Sequence, residues 1–473
     1  MSSQFLATVA LRHQSSPSIP SCDPEPELLL DLSPPAQKPS VTASPISASD
    51  KDFTRADRLV LRNLLKDKHG ATTTNNTKDD FKVEPCDEQT LRELKDLTLL
   101  EPAVFTNYDN EDFPAWFNTY LLQPYIARTR GFVRRDTDIV FLTHLLILTI
   151  VGLPNMVSLF LRFNWIQAIF QWGFVAYFTG PYSILMHNYI HGRGIMTKRW
   201  AAVDTLFPYV LGPMMGQTWN SFHYHHRHHH IEENGPDDLS STLRYQRDSV
   251  RDFTIYVGRF LLFNWIELPL YYIRKGSYRS ASRFFAWEML SYAFIFIMAK
   301  VNFTATMMTM VLPLIQLRIA LMADNWGQHA LVDEHDPDSK LKSSITVIDV
   351  VVSSCICNSV SLLFTNIYLK ANRHGFNDGY HTSHHLLPAR HWSEHPHAFM
   401  KAKQEFATGG ALTFQRLDFI KLTYLLFKKN YSHIAECLLP MGEQVGMTKE
   451  EVVSMLRGKT RRFSNDAIML KFK

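Results

Sequence analysis

The chain has 473 residues, 46% of them hydrophobic and 32 of them Phe, enough for two or three ordinary domains but patterned as one large apolar body with polar ends. A formal charge of +4 is small for that length and indicates no nucleic-acid partner. The five cysteines are scattered, forming neither a disulfide framework nor a zinc knuckle, and read as free thiols facing a reducing compartment.

Residues 1–90 are rich in Ser, Pro and Thr without sustained apolar periodicity, and read as a disordered tail or linker. The start lacks acids before Asp23, which also fits an organellar transit segment. Residues 91–137 form an approach to a membrane: LRELKDLTLL is amphipathic, and AWFNTYLLQPYIARTR is aromatic first and basic last.

A membrane region is expected over residues 138–400. Asp138 to Phe163 is long enough to cross a bilayer, with Pro154 as a kink, and Asn164 to Met186 follows after almost no loop. Ser282 to Lys300 and Asn302 to Met322 make a second such pair. Phe253 to Ile273 has a similar length but contains Arg259 and Glu267, so it is read as interfacial. The resulting fold is an all-α membrane protein, with four transmembrane helices in two hairpins and a helical cytosolic cap. Arg128, Arg130, Arg134 and Arg135 before the first span, with Arg193, Lys198 and Arg199 after the second, set the cytosolic or stromal face. Four crossings return everything after Met322 to that face. Ile345 to Leu369 is taken as a protein-covered helix. Residues 401–473 form a helical extension in which MTKEEVVSMLRGKTRRF reads as a basic, solvated amphipathic helix near anionic lipid.

Of 21 histidines, eight lie between His187 and His230 and seven between His374 and His397. HNYIH places His187 and His191 on one helix face, where both rings reach one ion. HYHHRHHH offers two H-x-x-H-H registers, His225/His228/His229 or His226/His229/His230; the later one sets Asn234, Asp237 and Asp238 at the usual distance after such a box. NDGYHTSHH repeats the pattern with His381, His384 and His385. His329 follows Asn325 by one helical turn at the end of the fourth expected span. Imidazoles in this number overfill one coordination sphere and suit two ions, and without cysteine they disfavour structural zinc. Asp237 and Asp238 are candidates to orient the rings from behind.

These boxes resemble those of the integral-membrane fatty-acid desaturase superfamily, over roughly Pro124 to His397. The resemblance implies a di-iron site of two Fe held by His187, His191, His226, His229, His230, His329, His381, His384 and His385, with Asn325 contacting iron through water. It implies a desaturase that uses O2 and two electrons to introduce a C=C bond into an acyl-lipid or acyl-CoA substrate. No heme-binding H-P-G-G signature is visible, so the expected electron donor is a separate cytochrome b5 or ferredoxin, in the endoplasmic reticulum or a plastid envelope or thylakoid. The alternatives are a hydroxylase or ketolase on the same scaffold, and a non-catalytic membrane metal-binding protein. His144, inside the first span, is read as a hydrogen-bonded core residue.

Overall fold

The computed structural model describes residues 54–73, 83–96, 104–105, 113–348, 372 and 375–471. The first element lies inside the stretch read as tail. Helix α1 (Arg55–Thr73) starts where Thr54 Oγ1 accepts from the Asp57 amide at 3.0 Å, and it buries Val60, Leu61 and Leu64 on one face. Polar contacts tie it to the far end of the chain. Tyr380 Oη donates to Asp57 Oδ1 (2.7 Å), while Lys403 Nζ donates to Asn63 (2.7 Å) and pairs with Asp67 (2.6 Å). Helix α2 (Glu88–Lys95) is capped by Asp87, which accepts from the Thr90 amide at 2.8 Å.

Among the described residues, three helices, and not the four expected, are long and apolar enough to cross a membrane. They are α3 (Asp136–Leu161), α8 (Tyr278–Val301) and α9 (Phe303–Gln328). The expected second span is part of helix α4 (Trp165–Gly192), whose 28 residues suffice in length but not in composition. Its polar residues are engaged with neighbouring helices: Gln167 Nε2 donates to Asn155 Oδ1 (2.8 Å), Gln171 Oε1 accepts from Asn155 (2.6 Å), and Trp172 Nε1 donates to Gln316 (2.7 Å). Only α8 and α9 pair as a hairpin of candidate spans, so the two-hairpin fold and its parity argument fall. The fold also departs from all-α, because Ile345–Ile348, expected as helix, is strand β1. It pairs in parallel with β2 (Leu412–Gln415), Ile345 opposite Leu412. The rest of that expected helix lies outside the described residues, as do Cys22, Cys355 and Cys357; Cys86 and Cys437 are free.

Helix α3 takes a π-helical turn at Leu148–Gly152 directly before Pro154, which relieves the clash a proline ring makes with the preceding turn. The largest core cluster joins α3 to α4 through Phe141, Leu148, Val175, Tyr182 and Leu185, and reaches Phe376 beside the third histidine box. His144 sits in α3 with Nε2 2.8 Å from the Phe105 carbonyl. Between α4 and α8 come α5 (Ala201–Leu211), α6 (Ser221–Glu232) and α7 (Val250–Arg274). In α7 Arg259 pairs with Glu267 at 2.8 Å, and the helix is not among the candidate spans.

The chain then forms α10 (His381–Leu386), α11 (His395–Lys401), α12 (Phe419–Phe427) and α13 (Lys449–Lys459). The helix read as basic and amphipathic is α13, and its apolar face packs on the protein. Val452 and Leu456 enter a core with Leu422, Leu426 and Ile434, and Lys459 pairs with Asp333 (2.5 Å). Arg247, fully buried, donates to the carbonyls of Ala330 (3.1 Å) and Lys459 (3.0 Å), so the end of the chain is bound to the segment after α9.

Candidate metal centre

Four elements deliver the histidines. Helix α4 carries His187 and His191 in its last turns, beyond its apolar part, and α6 is almost entirely the HYHHRHHH box. His329 closes α9, and α10 is the third box. The chain after α6 turns back through Glu233 (φ 32°) and Asn234 (φ 57°), a left-handed bend that an asparagine tolerates better than most residues. That bend returns Asp238 beneath α6.

Two groups result. His187, His191, His226 and His384 form one, and His229, His329, His381 and His385 the other; within each, one ligand atom per residue lies within 4.8 Å of all the others. His230 sits at the edge of the first, with Nε2 3.1 Å from that of His226 and 2.9 Å from that of His384. Of the two registers in box two, His226, His229 and His230 point into the groups. His225 instead packs on Phe260 (ring centroids 4.8 Å), and His228 Nε2 accepts from the Leu239 amide (3.2 Å).

The facing atoms are ring nitrogens, and at two of the rings the tautomer is fixed from behind. His329 Nδ1 lies 2.8 Å from the Ser343 carbonyl, which can only accept, so Nδ1 holds the proton and Nε2 presents its lone pair to His381 Nε2 at 3.3 Å. His229 is set the same way, with Nδ1 2.9 Å from Asp238 Oδ2. Asp238 is held in turn by the Asn234 amide (2.9 Å), the Ser240 amide (2.8 Å) and Ser240 Oγ (2.6 Å). Burial first, then the neighbouring imidazoles, push His187, His226, His230, His381, His384 and His385 well below the usual histidine range, which keeps them neutral. At His229 burial acts downward too, but the Asp238 charge and hydrogen bond overcome it and raise the ring's basicity.

This donor set fits a pair of metal ions. Neutral imidazole is the protonation state that binds metal. Nitrogens each about 2.1 Å from one ion stand about 3 Å apart when their bonds meet near a right angle, as His191 and His226 do (2.9 Å), and His381 and His385 (2.9 Å).

The other expected residues divide. Asp237 turns to Lys275 (3.1 Å) and is half exposed, leaving Asp238 as the carboxylate behind a ring. Asn325 lies in the wall of the adjoining cavity, with its amide nitrogen donating to the Ser240 carbonyl (2.9 Å) and to Tyr256 Oη (2.7 Å). Two neighbours had not been anticipated. Ser343 supplies the carbonyl behind His329, and Glu233, its carboxyl pushed up to about 7 by burial, stands near His385 with Oε1 3.5 Å from Nδ1 but makes no hydrogen bond to it. The acids following box two are a local signal for Glu233; nothing near His329 in sequence announces Ser343. His391, six residues after box three, is 2.9 Å from Asp138 Oδ1 and fastens that loop to the start of α3.

A model of the fatty acid desaturase family matches residues 163–416, just over half of the chain and all of both histidine groups. No curated protein and no solved structure matches.

Proposed function

The chain belongs to the fatty acid desaturase family, and from that premise we propose that it is a membrane-bound oxidoreductase that inserts a C=C bond into a lipid or acyl-CoA chain at a two-iron centre. The observation that carries the proposal is the pairing of two four-histidine groups, drawn from all three boxes and His329, beside a cavity of about 160 Å³. In balance, a CH2–CH2 unit loses two hydrogens while O2 takes up those two, two further protons and two electrons, leaving as two waters.

Iron bound at these groups would supply the activation of dioxygen. The protein's own part is binding and positioning. In this reading His187, His191, His226, His230 and His384 hold one ion and His229, His329, His381 and His385 the other, with Asn325 reaching the centre through water. Asp238 and the Ser343 carbonyl fix the tautomers of His229 and His329. Phe222, Leu317, Leu321 and Phe419 line the cavity with apolar surface that seats a chain and excludes water from the reacting carbons. Electrons come from a separate carrier, cytochrome b5 or ferredoxin, and the membrane is that of the endoplasmic reticulum or of a plastid.

Expression in a host with a simple fatty-acid profile, with double bonds located by mass spectrometry, tests the proposal. A new product lighter by two hydrogens, absent with His385→Ala, is expected. A product heavier by one oxygen would replace desaturation with hydroxylation, and an unchanged lipid profile across carriers would overturn both.

A further inference from the structure

The cavity beside the imidazoles is mostly apolar, yet three carboxylates from separate parts of the chain line it: Asp324 on α9, Asp378 ahead of α10, and Asp418 at the start of α12. Gln328 joins two of them, its Nε2 donating to Asp324 Oδ2 (2.9 Å) and Asp378 Oδ2 (3.4 Å). Asp418 caps α12 with Oδ1, which accepts from the Lys421 amide at 2.6 Å, but its Oδ2 has no partner among the described residues although the residue is only 3% exposed. His225 Nε2, on another stretch of the same lining, is buried and likewise unpartnered. An unsubstituted hydrocarbon chain would leave Asp418 Oδ2 without any hydrogen-bond donor and, among the described residues, Asp324 and Asp378 with only the one amide of Gln328 shared between them, which is costly for buried carboxylates.

Two observations narrow the missing donor. No Lys or Arg is among the described lining residues, so among these an anionic headgroup would meet three acids and no counter-charge. A metal ion fits no better: the described His, Cys, Asp and Glu groups with ligand atoms within 4.8 Å of one another are the two histidine groups, and the three acids are not among them. Carboxylates spread along a wall suit an extended organic group.

We propose that the chain this enzyme acts on carries an ammonium or hydroxyl group near its reacting carbons, as a long-chain amine or amino alcohol does, and that Asp324, Asp378 and Asp418 receive that group. The inference rests on the desaturase reading, because it takes the histidine wall as the reacting end of the cavity. Burial pushes the Asp378 carboxyl up to about 7 and that of Asp418 to about 6, and a bound ammonium would hold both ionised.

The test is binding to the full-length protein in detergent micelles. A radiolabelled 2-aminooctadecane-1,3-diol is displaced by unlabelled diol, by octadecan-1-ol and by octadecanoate. The amino diol is expected to compete at a concentration at least about tenfold below that of octadecanoate. An Asp378→Asn/Asp418→Asn variant that keeps its metal content should lose that ratio. The alcohol arm assigns the donor: parity with the amino diol means the hydroxyl suffices, and weaker binding means the charge is used. Octadecanoate binding as tightly as the amino diol to the unmodified protein overturns the proposal with no variant needed, as does an unchanged ratio in a folded variant. Product masses are read separately, so a protein that prefers the amino diol but alters no chain contradicts the desaturase reading alone.

Discussion

Replacing Asp238 with Asn should cost the second histidine group its ion before the first. One Asp238 oxygen accepts from the Ser240 amide and hydroxyl, and the other from His229 Nδ1 and the Asn234 amide. Asn retains an oxygen for Ser240 but turns an NH2 toward two donors. Two hydrogen bonds to a buried charge are lost, at about 1.5–3 kcal/mol each. The His229 ring then keeps only Ser240 Oγ, 3.1 Å from Nδ1, as a weaker acceptor for its proton, or moves that proton to Nε2 and loses the lone pair facing His329 and His385. Loss of a supporting carboxylate of this kind typically lowers metal affinity about 10–100-fold. The assay is iron retained against a graded chelator, with helicity followed in parallel. Asp238→Asn should release about half of its iron at a chelator concentration at least about tenfold below that for the unmodified protein, and Asp237→Asn, which loses only a half-exposed pair with Lys275, should match the unmodified protein. Release curves for Asp238→Asn within about twofold of the unmodified protein, at equal helicity, would refute the reasoning.

Gly327 is where α9 meets α12: a Cβ there would stand 2.4 Å from the Phe419 carbonyl oxygen, a backbone atom that cannot swing aside. Gly327→Ala should destabilise by about 1–3 kcal/mol and lower the thermal midpoint, whereas Gly458→Ala, with nothing within 4 Å of the new Cβ, should not; equal midpoints would contradict the packing described. Burial raises the Asp57 carboxyl to about 6, against the hydrogen bonds from Tyr380 and Asn372. A folded-state pKa above the unfolded one means that this contribution to the docking of α1 is full below about pH 4 and is lost as pH rises through about 6. Proteolysis within α1 should therefore accelerate from pH 5 to 8 relative to Asp57→Asn, which does not titrate, and a constant ratio between the two would refute it.

The site was more legible in the sequence than the fold that carries it. Histidine spacing is local, so two H-x-x-H-H boxes with an i,i+4 pair stand out together, while His329, one turn after Asn325, entered the set through the family resemblance. The span count failed at α4 because its many aromatic and aliphatic residues read as lipid-facing, while Gln167, Gln171 and Trp172 are tied to other helices. Ile345–Ile348 was misread because a short, fully buried apolar run has no period to separate strand from helix. α1 was hidden by the Pro- and Ser-rich composition around it, although Val60, Leu61 and Leu64 carry a helical pattern. Asp324, Asp378 and Asp418 escaped because three distant segments bring them together, and each alone is an ordinary acid.

The iron content of the purified protein, measured per chain by elemental mass spectrometry from an iron-replete host, tests the two-ion centre most directly. Two groups of four imidazoles should hold about two irons per chain with little zinc; one metal per chain, or zinc in place of iron, would contradict the account.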